Sequence, residues 1–218
     1  MEEFFSSEKY GAIKAAVEQQ PHAPFMVLFD SDRLDWANYT NREVSLRKKD
    51  LDLQPFYILE YMSKQNDNPI HDIGCGYNFF KKFYNIIGID PNSDHADIKE
   101  GFDEAFIAKY KNSLDNAISI NALHFCRIGE LEDRMVGFFE CVKPGGLAYC
   151  AINTAMVYET GTGGGSNVIQ NSGLIANMNK IIRRVIDRVS GTVLYYENKS
   201  SYVPKDIYNG NVRILIER

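Results

Sequence analysis

Apolar residues recur along this chain in two rhythms, and the change from one to the other divides it. From Ser7 onward, Ala12, Ala15, Ala16 and Val17 fall in a stretch that reads as a helix, until Pro21 and Pro24 interrupt it ahead of the apolar run at residues 25–29. A polar stretch follows at residues 30–50. Phe56, Leu59, Glu60 and Ser63 then take helical spacing within residues 55–64, with Pro55 at a position that suits a first helical turn. The turn cluster Asn66-Asp67-Asn68-Pro69 closes this leader. The expected organisation is a helical leader or cap, residues 1–68, packed on a core at residues 69–218, the whole forming one compact domain.

Past Pro69, short apolar runs alternate with amphipathic segments, which is the pattern of a parallel sheet covered by helices. Strands are expected at residues 69–73, 85–90, 96–99, 116–120 and 146–152, the third of them weak. In residues 127–142, Ile128, Leu131, Met135, Phe138, Phe139 and Val142 repeat every three or four positions and form one buried stripe. Leu174, Met178, Ile181, Ile182, Val185 and Val189 do the same in residues 174–189. Two last apolar runs, residues 192–197 and 211–217, follow without a helix between them, so they can pair as an antiparallel hairpin at the sheet edge.

The 218 residues are 44% hydrophobic and 24% charged, which excludes a disordered or fibrous chain. A formal charge of −5 gives no overall field that draws nucleic acid or an anionic membrane. Cys75, Cys126, Cys141 and Cys150 are widely spaced, with no Cys-x-x-Cys and no histidine cluster. Reduced thiols, a cytoplasmic location and no metal site are the expectation. The longest apolar run is far too short to cross a bilayer, and the start, Met1-Glu2-Glu3, lacks a basic, apolar targeting pattern.

Four local patterns carry candidate chemistry. His71-Asp72-Ile73-Gly74-Cys75-Gly76-Tyr77-Asn78 places an acid and two spaced glycines right after a strand, where backbone N–H groups can approach a ligand; the alternative is a tight strand-to-helix turn. Gly88-Ile89-Asp90-Pro91 places a carboxylate at the end of the neighbouring strand, suited to ribose hydroxyls or to capping a turn. Asn116-Ala117-Ile118-Ser119-Ile120-Asn121-Ala122-Leu123-His124-Phe125 and the glycine turn Val142-Lys143-Pro144-Gly145-Gly146-Leu147 complete the set.

In this order and spacing, the four patterns resemble the class I methyltransferases that use S-adenosylmethionine; the resemblance spans residues 69–153. It implies an α/β, Rossmann-like, seven-stranded and mostly parallel sheet with a C-terminal antiparallel hairpin and helices on both faces. Asp72, Gly74, Cys75 and Gly76 would then surround the methionine part of the cofactor, and Asp90 would hold the ribose. Phe102 and Asp103 fall at the family's adenine-flanking position, or else are a core phenylalanine and a helix cap. Asn121 would face the sulfonium end, or serve as a turn residue.

Two departures stand out. Asn78 occupies the place of a third glycine, and it tolerates a left-handed backbone. The spacing from Asp72 to Asp90 leaves room for only about two helical turns, so the helix at residues 79–84 must be short.

Methyl transfer needs a nucleophile held in line with the methyl group, and an O or N acceptor gains from a nearby base. His124 is the one placed candidate, with a packed histidine as the alternative role; His22, His71 and His95 have no recommending position. A Pro-Pro-aromatic motif after the fourth strand, a Pro-Cys nucleophile and an acid near Asn121 are all absent from the sequence, so nucleic-acid methylation ranks below a small-molecule or sugar-like acceptor. Glycine at position 79 would favour a nicotinamide oxidoreductase, but Phe79 stands there. A non-catalytic binding or scaffold protein is the competing reading from another class.

Arg42, Arg47, Lys48 and Lys49 keep a phosphate-bearing acceptor open, whereas Lys180, Arg183, Arg184 and Arg188 read as the solvated side of a helix. The glycine-rich residues 160–167 are either a mobile lid over the acceptor or a connector.

Overall fold

The computed structural model describes residues 7–18, 54–124, 126, 128–153, 172–198 and 211–218. The apolar run at 25–29, the basic cluster at 42–49, His22 and the glycine-rich residues 160–167 lie outside the described residues. In chain order the elements are helices α1 (Glu8–Glu18) and α2 (Gln54–Gln65), strand β1 (Ile70–Ile73), a 3-10 turn (Phe79–Lys82) and strand β2 (Ile86–Ile89). Then come α3 (Glu104–Tyr110), β3 (Leu114–Ile120), α4 (Ile128–Cys141), β4 (Val142–Asn153), α5 (Ser172–Arg188), β5 (Thr192–Asn198) and β6 (Asn211–Glu217).

The strands form one sheet in the order β2-β1-β3-β4-β6-β5. The first four run parallel, and β6 inserts antiparallel between β4 and β5. The expected seventh strand at residues 96–99 is reduced to one parallel bridge, Ile89 with Ile98. Ile98 is flanked by Asp97 and Lys99, and the Asp97 carboxylate turns back to accept the Gly88 N–H at 2.8 Å. A segment with one strongly apolar residue and a carboxylate folded onto its neighbour's backbone cannot extend a ladder. The described sheet therefore has six strands.

Alternating side chains feed two cores. Ile73, Ile89, Ala117, Ala148, Cys150, Ile152, Val212, Ile214 and Ile216 meet the apolar stripes of α4 and α5 on one face. Ile70, Ile86, Ile118, Ile120, Tyr149 and Leu215 meet Ile13 of α1, Phe56, Leu59 and Met62 of α2, and Phe79 and Phe80 on the other. Helices thus cover both faces. Asn116, fully buried at the lower end of β3, ties the Asn66 turn into the sheet: its Nδ2 donates to Asn66 Oδ1 at 2.9 Å and its Oδ1 accepts the Leu147 N–H at 3.1 Å.

The glycine turn at residues 142–147 is absorbed into β4 as an irregularity. The register steps from Leu114–Val142 to Asn116–Leu147, with Gly145 at φ +81°. Arg218 closes the adjacent helix end. Its Nη1 donates to the carbonyls of Glu140 at 3.0 Å and Val142 at 2.8 Å and to Asn112 Oδ1 at 2.9 Å, placing a cation at the C-terminus of α4. Arg218→Ala is expected to lower stability by about 1–2 kcal/mol, because it removes both the capping bonds and the favourable dipole interaction. Thermal unfolding should show a fall of about 2–4 °C per kcal/mol lost, with Arg218→Lys intermediate.

Candidate active site

At the carboxyl end of β1 the chain turns three times through left-handed backbone: Gly74 at φ +78°, Gly76 at φ +52° and Asn78 at φ 50°. Gly74 is also the point of closest approach to the neighbouring loop, since a Cβ there would collide with the Ala122 methyl group. Its N–H, and that of Cys75, donate to Ile89 O at 2.8 and 3.2 Å. The glycine turn, the end of β2 and the end of β3 are thereby drawn into one place.

Asp90 fastens them. Its Oδ2 accepts the Gly76 N–H at 3.1 Å, and its Oδ1 accepts the N–H groups of Asn92 at 2.9 Å and Ser93 at 3.1 Å. A carboxylate offers about four acceptor directions, so roughly one stays open for a ribose hydroxyl. Both ribose hydroxyls cannot be taken unless one backbone bond gives way. The residue that caps the turn and the residue expected at the ribose are thus the same side chain.

Behind Asp90 lies a second set of contacts absent from the sequence reading. Ser93 Oγ donates to Gly76 O and accepts the His95 N–H. Asn78 Nδ2 donates to His95 O at 2.9 Å and Asp97 Oδ2 at 3.2 Å, and Lys81 pairs with Asp97. A Cβ at Gly88 would stand 2.5 Å from Asn78 Nδ2, so glycine at 88 is what lets the Asn78 amide lie on β2. Asn78 therefore does more than tolerate the conformation of the missing third glycine. The cue in the sequence was the pairing of Asn78 with a glycine in the adjacent strand and an aspartate in the weak segment after it.

Asp72 is 2% exposed. Burial, reinforced by the Asp90 charge, pushes its carboxyl up to about 8. The folded chain thus keeps this proton to about pH 8, while the unfolded chain loses it near pH 4. Between those values the folded state binds the extra proton, so this group makes stability fall as pH rises. Asp72→Asn should flatten that decline, raising the unfolding midpoint relative to the parent at pH 8 and leaving it nearly unchanged at pH 4; urea titrations across this range test it.

Burial raises the Cys75 thiol far above its ordinary range, so at neutral pH it lines the turn as a neutral group. Asn121 adopts φ 56°, and its side-chain oxygen is buried with no hydrogen-bond partner among the described residues. Phe102 packs against Phe106 and Phe138, with ring centroids 5.4 and 6.5 Å away, and Asp103 Oδ1 accepts the Phe106 N–H at 2.9 Å as the N-cap of α3.

His124 is fully buried, and loss of hydration pulls its imidazole down to about 3. That is the geometry of a packed histidine. A ring with no exposed surface and so little proton affinity is a poor general base. Among the described residues, no group of three or more His, Cys, Asp or Glu is placed to hold a metal ion.

The structure thus gathers Asp72, Gly74, Cys75, Gly76, Asp90 and Asn121 at the carboxyl ends of β1, β2 and β3, where open α/β sheets bind ligands. No family model and no curated protein matches the chain. Solved structures do. One is the protein named as a methyltransferase in a complex with the Haloferax volcanii Trm112 methyltransferase activator, with a TM-score of 0.52 and 14% identity over 86% of this chain and 97% of that one. A second is Burkholderia thailandensis 1,6-didemethyltoxoflavin-N1-methyltransferase with bound 1,6-didemethyltoxoflavin and S-adenosylhomocysteine. It has a TM-score of 0.51 and 10% identity over 90% of this chain and 94% of that one.

The chain has the class I methyltransferase fold.

For that fold the residues present suit S-adenosylmethionine. The buried Asn121 oxygen lacks a donor among the described residues, the turn at Gly74 and Gly76 runs through left-handed backbone, and two carboxylates stand beside it. A cationic cofactor carrying ammonium and hydroxyl donors complements such a set.

Proposed function

We propose that this chain is an S-adenosylmethionine-dependent methyltransferase that acts on an oxygen or nitrogen of a small-molecule or sugar-like acceptor. The observation that carries the reading is the convergence of the left-handed turn at Gly74 and Gly76, the Asp90 staple and the donor-less Asn121 oxygen at one end of the sheet. When bound, the cofactor supplies a methyl group on a positively charged sulfur.

The chain's own residues do the rest. Asp72, Gly74, Cys75 and Gly76 surround the methionine part, and Asp90 takes a ribose hydroxyl with its remaining acceptor direction. Phe102 and Asp103 stand at the adenine end, and Asn121 faces the sulfonium with its side-chain oxygen. Asp72, protonated when buried beside Asp90, ionises as a cationic ligand arrives, so cofactor binding releases a proton. The site holds the acceptor in line with the methyl group at about 3 Å, which supplies much of the acceleration. His124 serves as packing in the loop after β3, and the acceptor proton passes to solvent water as the methyl group is transferred.

Arg184 and Arg188 of α5 are paired with Glu132 and Asp133 of α4, which supports reading that basic run as a helix surface rather than a nucleic-acid face. Cys75, Cys126, Cys141 and Cys150 are all buried free thiols, which supports a cytoplasmic site of action. No helix among the described residues is long and apolar enough to cross a membrane.

A second reading, a binding or scaffold protein on the same fold, draws on the three backbone N–H groups that occupy Asp90 and on the burial of His124. Incubation with methyl-labelled S-adenosylmethionine and a broad panel of hydroxyl and amine acceptors separates the two. Label transferred to at least one acceptor supports the enzyme; cofactor binding with no transfer across the panel supports the scaffold.

A further inference from the structure

The glycine turn of the site runs directly into a helical turn too short to hold itself. Gly76 and Asn78 have left-handed backbone, and the 3-10 turn Phe79–Lys82 that begins at the next residue lasts only four residues. Its backbone bonds are few: Lys81 N–H donates to Asn78 O at 3.3 Å, and the N–H groups of Phe83 and Tyr84 donate to Phe80 O at 3.0 and 3.1 Å. A helical piece of this length gains too few hydrogen bonds to offset the ordering of its residues. Its order must come from side-chain packing.

Phe56, in the first turn of α2, is the centre of that packing. It is fully buried, and its ring meets those of Phe80, Phe79 and Phe83 edge to face, with centroids 5.1, 6.1 and 6.2 Å away. Phe79 and Phe83 are themselves 5.8 Å apart. Rings in this arrangement attract beyond the area they bury and hold a preferred angle. The Tyr84 hydroxyl donates to the Phe56 carbonyl at 3.1 Å, so the segment is tied to α2 from Phe79 to Tyr84. Lys9 of α1 stands 4.1 Å over the Tyr84 ring and pairs with Glu60 of α2 at 2.8 Å, which joins both leader helices to the same segment. Phe79 is one residue from Asn78, whose amide reaches His95 O and Asp97, and three from Gly76, whose N–H is on Asp90. Displacement of the Phe79 ring is therefore carried into the turn that Asp90 staples.

We infer that Phe56 is a positioning residue for the cofactor site: through the rings of Phe79, Phe80 and Phe83 it sets the left-handed turn at Gly76 and Asn78, so that cofactor affinity depends on the docking of α2. The identity of the cofactor rests on the methyltransferase reading. Phe56 acts through those rings and supplies no ligand atom. Coupling of this kind is reciprocal, so whatever α2 docking adds to cofactor affinity, cofactor binding returns as stability of the docked helix.

The test compares the wild type with Phe56→Leu, Phe56→Met and a control, Val185→Ala, whose side chain is fully buried in the core on the other face of the sheet. Leucine removes the ring edges, whereas methionine keeps a long apolar side chain and a sulfur that contacts aromatic rings. Calorimetric titration with S-adenosylhomocysteine, at a temperature where all four proteins are folded, should show affinity lowered about tenfold by Phe56→Leu and less than about threefold by Phe56→Met. Val185→Ala should lower the unfolding midpoint and leave the affinity unchanged. In the ligand-free proteins, hydrogen exchange at residues 76–78 should be faster in Phe56→Leu than in the wild type or the control. In the wild type, S-adenosylhomocysteine should slow exchange in α2 by more than it does in α5. Equal affinities of Phe56→Leu and the control overturn the assignment, as do wild-type exchange rates at residues 76–78 in Phe56→Leu or an α2 that the bound ligand protects no more than α5. A wild type that binds no S-adenosylhomocysteine overturns the cofactor reading instead, and exchange at residues 76–78 still decides whether Phe56 sets the turn.

Discussion

Asp90→Ala should abolish measurable binding of S-adenosylhomocysteine and destabilise the chain at the same time. Three backbone N–H groups, those of Gly76, Asn92 and Ser93, lose their acceptor together. Each buried donor left unsatisfied costs about 1–3 kcal/mol, although solvent entering the loosened loop will recover part of the sum. A net loss of about 2–4 kcal/mol is expected. Asp90→Asn keeps the size and one acceptor oxygen, so the turn at Asn92 and Ser93 can persist while an amide group faces the Gly76 N–H. Its stability should fall between the two, with ligand affinity reduced by at least about tenfold. Urea titration and calorimetry on the three proteins separate the loop staple from the ligand contact. Equal stability of Asp90→Ala and the parent would show that the staple contributes nothing.

The second large effect belongs to Gly74→Ala. The added methyl group meets the Ala122 methyl group, while the backbone stays at φ +78°. The left-handed conformation costs an L-residue about 1–2 kcal/mol, and the overpacking about 1–3 kcal/mol more. Ala122 cannot rotate away as a long side chain would. A compensating Ala122→Gly should therefore recover the packing part of the loss and leave the conformational part, so the double variant regains about half of the stability. Thermal unfolding of the four proteins in this cycle is the check. No recovery would mean that the two loops separate freely.

These two positions also show what was legible in the chain beforehand. Gly74 and Asp90 were readable because a loop at the end of a parallel strand has few ways to turn, and the residues that permit it are distinctive. The stripe in residues 127–142 matches α4 to within a residue at each end, since Leu131, Met135, Phe138 and Phe139 all face one core. The terminal hairpin was equally plain, because two apolar runs without a helix between them have little choice but to pair antiparallel.

The remainder depends on contacts between residues far apart. Residues 96–99 have enough apolar character to suggest a strand, but Asp97 is committed to Gly88, Asn78 and Lys81, and one bridge is all that forms. Ser93 and Asp97 carry no motif of their own; their importance follows from Asp90 and Asn78 being placed where they can reach them. The burial of His124 could not be read from its position after a strand, because the same position suits an exposed base and a packed ring. Arg213 and Glu197 sit sixteen residues apart, and only the sheet register puts them side by side.

The most direct test of the account is calorimetric titration of the purified protein with S-adenosylmethionine and S-adenosylhomocysteine, with NAD run in parallel. Binding of both with Kd in the micromolar range, no binding of NAD, and affinity that rises with pH as Asp72 ionises is the result expected of this site. A well-folded protein that binds neither, or that binds NAD instead, contradicts it.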